Sequence, residues 1–97
     1  MKFAQYSLTE HDADLGQLYV ELGLANSGLG NLDRAREFYT IGEKTLQFAY
    51  NDMDDPELRE RYMMRLKRAL GYHARAATAA GADAEAQALK KRLESIP

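Results

Sequence analysis

Cysteine is absent from this 97-residue chain, which excludes a disulfide framework and thiolate chemistry. Proline is nearly absent: Pro56 and Pro97 are the only two, and neither interrupts a periodic segment. No apolar run approaches the ~20 residues that span a bilayer. Strand-like alternation of apolar and polar residues is missing as well, which argues against sheet-based folds. The opening stretch MKFAQYSLTEHDAD has one lysine, no long apolar core and early acids, unlike a secretory signal. A nucleophile–base pair, a phosphate-binding loop and a metal-ligand spacing are all lacking. These absences predict a cytoplasmic protein without catalysis, cofactor, metal or membrane span.

Helical periodicity is present over nearly the whole length, and it predicts an all-α fold of about four helices in antiparallel hairpins. Ninety-seven residues make one domain. Its 45% hydrophobic and 29% charged content is that of a globular chain rather than a disordered one. The first helix is predicted to begin near Ser7 or Thr9, where Ser7-x-x-Glu10 and Thr9-x-x-Asp12 resemble capping arrangements. Its stripe of Leu15, Leu18, Tyr19, Leu22, Ala25 and Leu29 is expected to face the core. Gly28 and Gly30 end it, since glycine supplies the left-handed conformation of a helix C-cap, and Asp33 marks the next start.

The second helix is predicted from Leu32 to Tyr50, with Ala35, Phe38, Tyr39, Gly42, Leu46 and Ala49 facing inward and Ile41 and Phe48 widening the arc. Small Ala35 and Gly42 permit a close approach between helices joined by a short turn. A linker over 51–55 separates this hairpin, about 9–50, from a second, about 56–96. Asp55 before Pro56 is a strong start signal, because aspartate accepts free backbone N–H groups and proline in the first turn sacrifices no bond. The third helix reaches about Ala80 along Leu58, Tyr62, Leu66, Ala69, Leu70, His73, Ala77 and Ala80. Gly71 within it suggests a close helix contact or a bend. Gly81 closes that helix, and Asp83 is expected to cap a fourth that runs to about Ser95 along a narrow seam of Ala82, Ala86, Leu89, Leu93 and Ile96.

Tyr19, Leu22 and Gly23, followed by Gly30, Ala35 and Tyr39, resemble one unit of a tetratricopeptide repeat. Gly42 keeps the smallness of the usual alanine there, while Asn26 replaces a usual tyrosine and Gln47 a usual terminal proline. A fainter second unit follows, with Gly81 and Ala86 spaced like Gly30 and Ala35, but at an offset of 51 residues against about 34 for the family. The resemblance implies a non-catalytic protein–protein interaction adaptor that binds a peptide or helix in a groove. The matching groove positions are Gln17, Val20, Glu21, Leu24 and Ser27. Val20 and Leu24 stand where carboxylate-gripping members carry lysine and asparagine, so the resemblance implies an apolar helix or extended segment as ligand.

Charge is unevenly placed. Residues 1–54 hold four Lys/Arg against nine Asp/Glu, and residues 55–97 hold nine against six. Opposite halves of two copies therefore attract, though solvated helix faces explain the same asymmetry. Two hairpins are fewer than the three units such arrays normally need, so a homodimer or larger assembly is expected. The alternative function is a homo-oligomeric assembly module in which the third and fourth helices pair with another copy. Arg61, Arg65, Arg68 and Arg75 form a basic face around Tyr72, suited to an acidic contact or to nucleic acid. The negative total of -2 and nearby Asp55, Glu57 and Glu60 argue against nucleic acid. Tyr62, Met63 and Met64 read either as core or as an adaptable surface. His11 with Asp14 offers too few ligands for zinc, and His73 reads as a partly buried, hydrogen-bonded histidine.

Overall fold

The computed structural model of the chain describes residues 2–96, and side chains over 8–96. Four helices follow one another: α1 (Lys2–Gly28), α2 (Leu32–Asp52), α3 (Pro56–Ala79) and α4 (Asp83–Glu94). Among the described residues there is no strand. The all-α class and the hairpin pairing are those the periodicity predicts. α1 packs on α2, α2 on α3, α3 on α4, and α1 touches α3 lightly, whereas among the described residues α1 and α4 do not meet. The Cα envelope measures 48 × 27 × 14 Å. The hairpins therefore lie side by side in a thin slab with two open ends, rather than closing into a bundle.

Both hairpins turn through the same motif. Gly30 and Gly81 have φ of +82° and +77°, where a Cβ is disfavoured. The Asn31 amide donates to the Asn26 carbonyl at 2.9 Å and Ala82 to Ala77 at 2.8 Å. Gly30 bonds Ser27 at 3.0 Å and Gly81 bonds Thr78 at 3.1 Å. These are the paired bonds of a Schellman cap, which satisfy carbonyls the helix end leaves open. Five residues after each glycine comes a buried alanine, Ala35 and Ala86.

Helix starts differ from expectation at two places, in α1 and α4, while α2 starts at Leu32 as expected. α1 begins at Lys2, before Ser7 and Thr9, because no glycine or proline interrupts the stretch. The Ser7 cap falls outside the described side chains, and the Thr9 hydroxyl donates to Asp52 Oδ2 at 2.7 Å instead. Asn31 and Ala82 hold the N-cap positions without a side-chain bond. Asp33 and Asp83 stand in the first turns, where they complement the helix dipole rather than cap it. Asp55 does cap α3, accepting from the Glu57 amide at 2.9 Å ahead of Pro56. Pro97 lies outside the described residues.

The core face of α1 is the main correction. Ala13, Gly16, Val20 and Gly23 are buried, while Leu8, Leu15, Leu18, Leu22, Leu24 and Leu29 are exposed. α1 is apolar around most of its circumference, so spacing alone does not choose its inner face. Closeness does. A Cβ on Gly16 would lie 2.9 Å from Leu46 Cγ, and one on Gly42 would lie 2.9 Å from both the Gly16 carbonyl oxygen and Val20 Cγ2. A Cβ on Gly23 would sit 2.5 Å from the Tyr39 ring. Leucines on this seam would hold α1 off α2 and leave Tyr39 and Leu46 unpacked. On α2 the inward Ala35, Tyr39, Gly42, Leu46 and Ala49 are buried as expected, but Ile41 and Phe48 face solvent. Gly71 serves no close contact, since a Cβ there would meet nothing within 4 Å.

Candidate functional site

The five groove residues implied by the resemblance do not stay together. Val20 is 1% exposed and belongs to the core, packed against Gly42, so it cannot line an open groove. Leu24 and Ser27 do line a cleft of about 320 Å³ between α1 and α3, with Leu32, Tyr39, Tyr72 and Ala76. The Tyr39 hydroxyl donates to Ser27 Oγ at 3.4 Å. Gln17 and Glu21 bond each other at 3.4 Å on the exposed side of α1.

A larger apolar surface lies elsewhere. Leu8, Leu15 and Leu22 recur every seven residues on α1, with Leu18 between them, away from the buried Ala13, Val20 and Gly23, and Leu29 continues the spacing in the turn that follows. Leu8 is 76% exposed, Leu29 77% and Leu18 52%. α2 adds Phe48 at 59% and Ile41 at 42% on the same end of the slab. Tyr19 and Phe38 stack at 6.2 Å between the two helices, which makes the patch continuous across the hairpin. Contiguous exposed apolar side chains of this kind are candidates for a contact surface. On α3, by contrast, Tyr62 and Leu66 are buried, Met63 is half-buried and only Met64 is exposed.

The basic face of α3 divides in two. Arg61 pairs with Glu57 at 3.3 Å. Arg65 reaches back to α1, to the Ala13 carbonyl and Asp14, both at 3.4 Å. Arg68 and Arg75 are exposed, and Arg75 lies over the Tyr72 ring at 5.9 Å. With Lys67 and Lys90 they border an open groove between α3 and α4.

A charged chain crosses α2, α3 and α4. His73 Nδ1 lies 2.7 Å from Glu43 Oε2, and its Nε2 lies 2.8 Å from Glu85 Oε2. Two carboxylate acceptors on one ring require both nitrogens to donate, so the imidazolium is the form that fits. Burial pushes the His73 pKa down, but bonding to Glu43 and Glu85 outweighs it and raises the value above 6.5. Arg36 grips Glu85 through Nε at 2.9 Å and Nη2 at 2.8 Å, a two-pronged contact. That hydrogen bonding, helped by His73, lowers the Glu85 pKa to about 2. Asp33 extends the chain at Arg36 (2.9 Å), and Arg92 extends it at Glu43 (3.9 Å). Charges thus alternate along Asp33, Arg36, Glu85, His73, Glu43 and Arg92.

Chemically the chain is a clamp. Both ring nitrogens of His73 are occupied, which leaves no lone pair for a metal. Among the described residues, no three His, Cys, Asp or Glu side chains are placed to hold an ion. His11 is exposed on α1. No helix among the described residues is long and apolar enough to cross a membrane. Sequence reasoning found His73 as a hydrogen-bonded histidine but missed its partners, because Glu43 is 30 residues away and Glu85 is on a separate helix. One signal existed: Glu43 follows Gly42 directly, at the inner edge of α2. Comparison with protein-family models, curated proteins and solved structures returns no match for this chain.

Proposed function

We propose that this protein is a non-catalytic, cytoplasmic interaction module of tetratricopeptide type, whose working surface is the leucine face of α1. One observation carries the reading. A hairpin that buries Thr9, Ala13, Gly16, Val20 and Gly23 of α1 leaves Leu8, Leu15, Leu18 and Leu22 in water, joined by Leu29 in the turn beyond and by Ile41 and Phe48. Isolated exposed leucines need no explanation. Leu8, Leu15 and Leu22 at a seven-residue spacing on one helix, with Leu18 among them, form the seam that another amphipathic helix packs against. The adaptor role implied by the resemblance is kept, with its docking surface moved from the Val20 side of α1 to the leucine side. The cleft beside Leu24 and Tyr72 is a smaller second surface of the same kind.

The test is Leu15→Glu with Leu22→Glu. Both side chains are exposed, so helicity by circular dichroism should stay at the wild-type level. Capture of helical partners on immobilised protein should be lost. Capture that persists at wild-type strength would remove the leucine face from the function.

A further inference from the structure

We propose that the occupant of the leucine face is a second copy of this chain, joined head to tail, with α1 of one copy seated in the α3/α4 groove of the next. The proposal rests on the reading of that face as a docking surface and names its partner.

Charge points to this pairing over others. From residue 3 to residue 33 the chain has no Lys or Arg and five acids. Helical geometry sets Asp12 on one flank of the leucine seam and Glu10, Asp14 and Glu21 on the other. Two such faces brought together would juxtapose like charges, which disfavours a symmetric pairing through α1. The far end of the slab carries the opposite sign. Its groove, about 470 Å³, runs along Gly71, Ala74, Thr78 and Ala79 of α3 and Leu93 of α4. Lys67, Arg68, Arg75 and Lys90 line it with its neighbouring hollow, and no acid does.

Packing within the molecule supplies the template. α3 sits against the first hairpin through Tyr62, Leu66, Leu70 and His73. The two hairpins share one turn geometry, and counted from Gly30 and Gly81, Leu15 and Leu22 stand where Leu66 and His73 stand in the second. Seating α1 of one copy on α3 and α4 of another repeats an arrangement the fold already makes once. α1 and α4 are at opposite ends, so both surfaces are open in one molecule. Such a heterologous contact grows into filaments or closes into rings.

Sedimentation equilibrium on the full chain tests it. The wild-type mass should rise above 10.9 kDa with concentration, and fall back as salt increases and screens the flanking charges. Leu15→Glu/Leu22→Glu and Arg68→Glu/Arg75→Glu should each be monomeric with unchanged helicity. Mixed, they should form a dimer and stop there, because one intact seam and one intact groove remain between them. A wild-type mass fixed at 10.9 kDa overturns the proposal, as does a dimer that survives Arg68→Glu/Arg75→Glu or a mixture that stays monomeric. Should Leu15→Glu/Leu22→Glu unfold, the groove variant mixed with wild type still decides: it should cap assemblies and lower their mass, and an unchanged mass distribution overturns the proposal. A monomeric wild type that captures a foreign helix through Leu15 and Leu22 leaves the interaction module standing without self-assembly. A monomer that captures nothing removes both.

Discussion

Two seams hold this protein together, and they do so by different physics. Between α1 and α2, glycines and alanines let backbones approach until a single added Cβ would lie 2.9 Å from a carbonyl oxygen or a leucine. Among α2, α3 and α4, a buried imidazolium between two carboxylates does the corresponding work. The first seam depends chiefly on shape, with one hydroxyl–carboxylate bond, Thr9 to Asp52, beside it. The second adds charge to the apolar packing of Leu66, Leu70 and Ala86, and its ionised groups tolerate burial only because each is paired. α1, held mainly by close packing with a few polar bonds such as Thr9 to Asp52, is free to carry leucines outward. α4, a 12-residue helix with two buried apolar residues, is also tied to α2 and α3 through Glu85.

The largest effect should come from unpairing the charged seam. His73→Ala leaves Glu43, 3% exposed, with only Arg92 at 3.9 Å, and should cost about 3–5 kcal/mol in urea unfolding. Replacing both buried partners, His73→Leu with Glu43→Leu, should recover most of that loss, because the cost lies in the orphaned charge. A double variant no better than the single would show that the clamp stabilises by net attraction.

Ala35→Leu comes next. Ala35 is fully buried where α2 leaves the turn, and overpacking there should cost roughly 1–3 kcal/mol. An unchanged urea midpoint would mean that the shape seam has slack. Unlike the His73 variants, this one should keep the wild-type response to pH.

How much of this was legible follows from the same division. The glycine turns, the Asp55-Pro56 start and the buried face of α2 are written locally, in residues a few positions apart. The inner face of α1 was not, because spacing there offered two apolar stripes and the choice belonged to Gly16, Gly42 and Tyr39 across the seam. The charged chain was less legible still. Glu85 and Glu43 sit 12 and 30 residues from His73, and nothing near His73 in sequence marks them as partners. Local rules find turns and caps; pairings between helices require the register that packing sets.

The two seams should also separate on titration. The His73 pKa is raised in the folded state above 6.5, so its contribution is complete below that pH and is lost as pH rises through the raised value. Glu85 is lowered from 4.5 to about 2, so its contribution is present above 4.5 and lost as pH falls toward 2. Between pH 4.5 and 6.5 both are in place, and the urea midpoint should be highest there. Above 6.5 it should decline in the wild type and in Ala35→Leu, but not in the His73→Leu/Glu43→Leu double variant. A wild-type midpoint that stays level above 6.5 would show that His73 is neutral in the fold.

The smallest effect should mark where the charged seam ends. Along its acids, side-chain exposure runs from 4% at Glu43 through 34% at Glu85 to 92% at Asp33. All three touch or approach a cation, so a count of ion pairs would rank them alike. Burial ranks them differently. An exposed carboxylate exchanges its partner for water at little cost, and pairs of this kind contribute about 0–1 kcal/mol. Asp33→Asn should therefore move the urea midpoint barely beyond error, and high salt should erase the remainder. Glu85→Gln should cost more, since Arg36 and His73 both lose an ionised acceptor, and Glu43→Gln should cost most. Equal losses at the three positions would mean that the chain acts as one cooperative unit, and the contrast with the glycine seam would then rest on charge connectivity rather than on burial.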